Sequence, residues 1–157
     1  HGRLADSSLK ARKLCETDFV LVASPDYLAV RGQPLQVADL EQHACIVFTK
    51  GRDRYPWRLK MGHESVSYTP QGQLLTGDAE HIRAAVLGGL GIAQAPFWLL
   101  ADEIRTGRVL VLLPLSQPDP VPIHLVHPAG RHVPTRLRLF MDYLVRAFEM
   151  PDAMASD

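Results

Sequence analysis

Two short segments carry the residue types best suited to hold a small polar molecule. The run ACIVFTK (44–50) leaves a compact apolar stretch on Phe48, Thr49 and Lys50. A hydroxyl and an ammonium in that position could bind a carboxylate or another anion. By residue type alone, Lys50 is equally a solvated loop lysine and Thr49 a turn cap. The second segment is GDAEHIRAAVLGGLGIAQAP (77–96), which packs Gly77, Gly88, Gly89 and Gly91 around an amphipathic stretch and ends at Pro96. Thr76, Gly77 and Asp78 stand at its start. There, free amides and the positive end of the helix dipole favour a negative group. The ordinary alternative is that Thr76 or Asp78 simply caps the helix.

The glycines do not form a phosphate cradle. A dinucleotide fingerprint needs G-x-G-x-x-G after a strand and before a helix. Here Gly88, Gly89 and Gly91 close a helix and precede a strand, and Gln94 takes the place of the third glycine. A P-loop needs a Gly-Lys pair, which the sequence lacks. The expected roles are mechanical. Ile82, Ala85, Val86 and Gly89 form a face that packs on a sheet, and Gly91 supplies the left-handed residue that ends the helix.

Other chemistry is excluded by spacing. His124 and His127 lie three apart on an expected strand and so face opposite ways, and His132 falls on a loop, so no metal site is expected. His63-Glu64 and Glu80-His81 have no HExxH context, and Ser7-Ser8 has no GxSxG elbow. No catalytic residue, cofactor or enzymatic activity is expected. Cys15 and Cys45 are thirty residues apart with no ligand spacing, which predicts two buried or half-buried thiols. A redox sensor would need an exposed thiolate beside a positive charge. Lys13 is near Cys15, but Cys45 lies inside an apolar run.

The elements that must position these residues alternate. Strands are expected at 9–15, 18–24, 44–48, 57–61, 65–69, 108–114 and 122–128, with QLLTG (73–77) leading into a helix over 78–90. IAQAP is a further short strand. Shorter helices are expected from Pro25 to Gly32 and over 37–43, a single helix over 97–107, and a last one over 135–149. That last helix would bury Leu137, Phe140, Leu144 and Phe148 on one face. Residues 49–56 read as a loop, and Trp57, Phe97 and Trp98 as core. The alternation predicts an α/β fold. Of 157 residues, 46% are hydrophobic and 22% charged, enough for a buried core. Seventeen basic residues balance seventeen acidic ones, so no polyanion-binding surface is expected. No apolar run reaches the length of a membrane span. The chain starts at His1-Gly2-Arg3 without a Met or a signal-peptide pattern, which predicts a piece of a longer protein.

Taken in order, SSLKARKL, FVLVASPDYLAVRGQP, DLEQHACIVF, GDAEHIRAAVLGGLGIAQAP and PIHLVHPAGRHVPTRLRLFMDYLV resemble the effector-binding domain of LysR-type transcriptional regulators across nearly all of residues 3–149. The resemblance implies a fold like type II periplasmic binding proteins, with two α/β lobes, two crossover strands and a small effector in the cleft. It implies that 1–23 hold the tail of the first lobe and a crossover strand, and that 24–120 form the second lobe. Residues 121–149 would then supply the return strand and last helix, and 150–157 a flexible tail. The crossover strands are expected at 18–24 and 121–127. Because the helix amides and Lys50 favour a negative group and Phe48 supplies an apolar wall, the expected effector is a small organic acid, aromatic or aliphatic, bordered by Phe48, Thr49, Lys50, Thr76, Gly77 and Asp78. DNA would be contacted only by a winged helix-turn-helix outside this chain, in a cytoplasmic homodimer or tetramer. A thiol-based redox sensor and a free-standing solute-binding protein are the rival functions.

Overall fold

The computed structural model describes residues 9–72, 74–128 and 134–149. The Ser7-Ser8 pair, Gln73, His132 and the 150–157 tail lie outside the described residues. In chain order the elements are β1 (Leu9–Thr17), β2 (Phe19–Ala23), α1 (Pro25–Arg31), a 3-10 turn Val37–Gln42, β3 (Cys45–Lys50), β4 (Asp53–Arg54), β5 (Trp57–Met61) and β6 (Glu64–Tyr68). They continue with β7 (Leu74–Thr76), α2 (Ala79–Leu87), β8 (Ile92–Pro96), a 3-10 turn Phe97–Leu99, α3 (Ala101–Arg105), β9 (Leu110–Leu112), a 3-10 turn Pro114–Ser116, β10 (Val121–Pro128) and α4 (Thr135–Glu149).

The chain divides into two compact units, His1–Thr17 with Val121–Asp157, and Asp18–Pro120. In the first, β1 and β10 form an antiparallel ladder with an irregularity between Lys13 and Cys15. Arg12 pairs with Asp142 of α4 at 2.6 Å, and the hydrogen bond from Arg12 holds the Asp142 carboxyl below its ordinary range. Of the four apolar residues expected on one face of α4, Leu137 and Leu144 are half-buried. Phe140 and Phe148 are exposed, as are Leu139 and Tyr143, whereas Met141 is buried. The partner of β10 is β1, while residues 18–24 supply β2, an interior strand of the other unit.

In Asp18–Pro120 one sheet runs β4-β3-β8-β2-β9, with β7 also paired to β3. β3 is parallel to β7 and β8, and β2 is antiparallel to β8 and β9. Strand alternation assigns side chains to two cores. Val20, Val22, Ile46, Ala93 and Ala95 join Ile82, Ala85 and Val86 of α2 on one face. Leu21, Ala23, Cys45, Val47 and Ile92 face the other way, toward Tyr27, Leu40, Trp57 and Leu59. The β5–β6 hairpin therefore covers the face that α2 leaves open. Burying Ile82 and Val86 is worth about 1.5–3 kcal/mol each.

Several local expectations are corrected. Thr49 and Lys50 continue β3 and pair with Arg54 and Asp53 of β4 instead of starting a loop. The single helix over 97–107 is broken at Leu100 (φ −126°, ψ 16°) into a 3-10 turn and α3. Phe97 and Trp98 are exposed, not core. The left-handed residue after α2 is Gly89 (φ 69°), not Gly91. Gly89 and Leu90 donate to the carbonyls of Val86 and Ala85 at 3.1 and 3.0 Å, the paired bonds of a Schellman ending. Gly89 thus lies beyond the packed face of α2.

Candidate functional site

β3 and β7 run side by side in parallel register, with Ile46 opposite Leu74, Val47 opposite Leu75 and Phe48 opposite Thr76. The two expected segments, 48–50 and 76–78, therefore leave the same sheet edge as neighbours. Gly77 passes so close to β3 that a Cβ there would sit 3.1 Å from the Thr49 carbonyl oxygen. In an α/β sheet the carboxyl ends of parallel strands are where ligands bind.

The start of α2 is not an open anion site. The Asp78 carboxylate accepts from the backbone amides of Glu80 at 2.8 Å and His81 at 3.3 Å. Thr76 Oγ1 accepts from the Asp78 amide at 3.1 Å and lies 3.2 Å from His81 Nδ1. The amides expected to receive a ligand are thus occupied by the chain's own cap, and the local charge is negative. Thr76, Gly77 and Asp78 form a rigid rim. On β3 the side chains alternate, so Lys50 shares the face of Phe48 and Thr49 points to the other. Lys50 is exposed, Thr49 and Phe48 half-buried. Among the described residues, no carboxylate forms an ion pair with Lys50.

Below this rim lies a cavity of about 330 Å³. Phe48 and Tyr55 form one wall, edge to face at 6.2 Å and 74°. Ala79 and Ile82, from the first turn of α2, form another. Trp57, Leu99, Phe19, Pro56 and Pro96 complete the apolar lining, and Gln94 contributes the amide. Gln94 Nε2 donates to the Arg58 carbonyl at 2.7 Å, and its Oε1 accepts from the Arg58 amide at 3.2 Å. The side chain thus ties β8 to β5 as a strand residue would.

Sequence reasoning named Phe48 but missed the rest of the cavity. Its members come from six separate segments, and singly they read as core, like Trp57, or as loop, like Tyr55 and Pro56. Two signals were available: the lone amide of Gln94 inside an apolar strand, and the YPW triplet in a polar stretch. The thiols are explained by packing. Burial pushes the Cys45 thiol up to about 11, and Cys15 is half-buried on β1. Among the described residues no group of His, Cys, Asp and Glu could hold a metal ion. No described helix is long and apolar enough to cross a membrane.

Comparison with known proteins agrees with this architecture. The chain is 31% identical over 149 residues to an HTH-type transcriptional repressor of Pseudomonas aeruginosa, covering 94% of this chain and 47% of that protein. It is 32% identical over 145 residues to the HTH-type transcriptional regulator CrgA of Neisseria meningitidis, covering 92% of this chain and 48% of CrgA. The chain thus spans about half the length of the curated relatives it matches. The solved regulatory domain of CrgA superposes with a TM-score of 0.80 at 31% identity, over 94% of this chain and 72% of that one. The regulatory domain of AphB from Vibrio vulnificus gives 0.76 at 29% identity, over 93% and 72%. These neighbours share the fold of type II periplasmic binding proteins, and the relatives are transcriptional regulators, not enzymes. With residues 1–149 matching the LysR substrate binding domain throughout, the chain belongs to that family.

Proposed function

We propose that this domain senses a small organic acid at the rim formed by Phe48, Thr49, Lys50, Thr76, Gly77 and Asp78. The supporting observation is the parallel pairing of β3 with β7, which sets both segments beside one apolar cavity. In this reading Lys50 supplies the attraction for the acid and Phe48 an apolar wall, while Thr49, with its side chain on the other face of β3, borders the rim through the carbonyl that faces Gly77. The capped start of α2 fixes the opposite side. Lys50 is exposed, so water screens its charge-assisted bond to about 1 kcal/mol, roughly a fivefold effect on affinity. Asp18–Pro120 would act as the second lobe of the sensor. A winged helix-turn-helix outside this chain would contact DNA, in a cytoplasmic dimer or tetramer. Effector binding would shift the balance between two conformations of the regulator by its differential affinity for them.

A thiol-based sensor has less support, because burial keeps the Cys45 thiol protonated. The test places Thr49→Val and Lys50→Ala in the regulator that carries this domain. Lys50→Ala should lose the effector response in promoter footprinting while basal promoter occupancy stays unchanged, and Thr49→Val, on the other face of β3, should keep it. A wild-type response from Lys50→Ala would remove the site.

A further inference from the structure

The cavity beneath the rim narrows the class of effector. Its walls are almost wholly carbon, with the rings of Phe48, Tyr55 and Trp57 facing Ala79, Ile82 and Leu99. Its one amide, Gln94, already has both ends bonded to the Arg58 backbone. Among the described residues no buried side-chain nitrogen or oxygen lacks a partner, and the Tyr55 hydroxyl in the walls belongs to an exposed residue. No Lys, Arg, His, Asp or Glu lines it. A charge drawn to its floor would lose its hydration and find no counter-ion, which is strongly disfavoured. An apolar ring would meet aromatic faces and edges at no such cost. At about 330 Å³ the space lies at the small end of ligand sites, about 300–1,000 Å³, fitting one ring or two fused ones.

The cation for the acid group stands elsewhere. Lys50 is two residues beyond Phe48 on the same strand face, about 7 Å along β3. A carboxylate attached directly to a buried ring would be held among the apolar walls. One carried two or three bonds from the ring reaches the rim, where Lys50 and water can solvate it. We infer that the effector enters ring first and carries its acid on a short spacer: the ligand class is an arylalkanoic acid, not an arenecarboxylic acid. The inference rests on the sensor reading above. It also makes Ala79 a specificity-determining residue, because the small side chain at the first turn of α2 leaves room for the ring.

Trp57 lines the cavity and Trp98 is exposed, so the chain with Trp98→Phe has one reporter indole at the site. Its emission would be titrated with 3-phenylpropanoate, 3-phenylpropan-1-ol, benzoate and propanoate. The first two should bind saturably and compete with each other, benzoate at least tenfold more weakly than 3-phenylpropanoate, and propanoate without a measurable shift. Lys50→Ala should weaken 3-phenylpropanoate three- to tenfold and leave the alcohol unchanged. Ala79→Leu should weaken both at least tenfold with an unchanged melting temperature. If that variant melts early, Tyr55→Ala, at an exposed wall position, should weaken both several-fold. The inference is overturned if benzoate binds as tightly as 3-phenylpropanoate, if no ring compound perturbs Trp57, or if folded wall variants bind like wild type. Ring binding without a promoter response would sink the sensor reading and leave the ring site. A promoter response to propanoate through Lys50, unaffected by Ala79→Leu, would sink the ring site and leave the sensor.

Discussion

Alanine substitution at each glycine following α2 should give three different outcomes, although the three look alike in the sequence. Gly88 has an ordinary φ of −76°, and a Cβ there would meet the Ala84 carbonyl oxygen of its own helix at 3.2 Å, a tight approach that a shift of a few tenths of an ångström at the helix end relieves, so Gly88→Ala should cost about 0.5 kcal/mol. Gly89 is left-handed at φ 69°, but a Cβ there would meet Ser24 Oγ only at 3.6 Å and the Tyr27 amide nitrogen at 3.9 Å, which are ordinary contacts. The cost is backbone strain of about 1–2 kcal/mol, partly offset by a less disordered unfolded chain, for a net of about 1. Overpacking, which its expected place on the helix face would imply, does not enter. At Gly91 a Cβ would stand 2.4 Å from the Ala44 carbonyl oxygen. That oxygen accepts from the Ile92 amide at 2.9 Å, where β8 joins β3. Relieving the clash means moving backbone and weakening that bond. Overpacking of about 1–3 kcal/mol plus about 1 for the hydrogen bond gives about 2–4 kcal/mol. For a body the size of Asp18–Pro120, at about 4–8 °C per kcal/mol, the melting point should fall about 5 °C for Gly89→Ala and at least twice that for Gly91→Ala. Calorimetry and urea titration read the order directly. Equal losses at Gly88 and Gly91, or a Gly91→Ala protein within 0.5 kcal/mol of wild type, would refute the close-approach argument.

Two further outcomes follow from buried polar groups. Arg83 of α2 pairs with the buried Glu103 of α3, and the hydrogen bond it donates holds the Glu103 carboxyl below the usual carboxylate range. Stability from a depressed carboxylate is present above the ordinary glutamate pKa and is lost as pH falls through the lower folded value. Arg83→Met should therefore destabilise the protein at pH 7, and the gap to wild type should close below about pH 4. A gap constant from pH 7 to pH 3 in urea titrations would show that packing, not charge, carries the effect. For Cys45, a thiol at about 11 is about a hundredfold less ionised at pH 8 than an ordinary one. In a Cys15→Ser chain, iodoacetamide should label the native protein at least a hundredfold more slowly than the urea-unfolded protein. Equal rates would contradict the burial.

The parts of the fold legible in the sequence are those governed by one local rule. The buried face of α2 follows from its 3.6-residue spacing, and the two faces of β2 and β3 alternate with period two. Pairing of β3 with β7 is a long-range fact, reached only through the order of motifs that resembles the LysR domains. Two errors share a cause, in that residue type was taken for environment. Phe97 and Trp98 are large and apolar, yet a 3-10 turn at a sheet end holds them outward. On α4 the apolar residues outnumber the buried ones, so periodicity alone selected Phe140 and Phe148 over Met141. At the start of α2 a cap and a ligand site present the same residues, and of the two readings left open there the coordinates show the cap, with Asp78 folded back on the Glu80 and His81 amides. The cavity was invisible for a different reason: a void has no residue of its own.

The two bonds between Gln94 and the Arg58 backbone have a dynamic consequence. A two-stranded hairpin standing alone in water is marginally stable. β5 and β6 escape this because a side chain of the large sheet completes one rung of their outer strand, and Trp57 and Leu59 anchor its inner face. Opening the hairpin therefore means breaking both bonds to β8. Its fluctuations belong to the slow, cooperative class of the central sheet rather than to the fast fraying class of surface loops. Since Gln94 and Trp57 both line the cavity, any molecule that settles there presses on the joint itself, and the hairpin becomes the part of the domain whose motion reports occupancy.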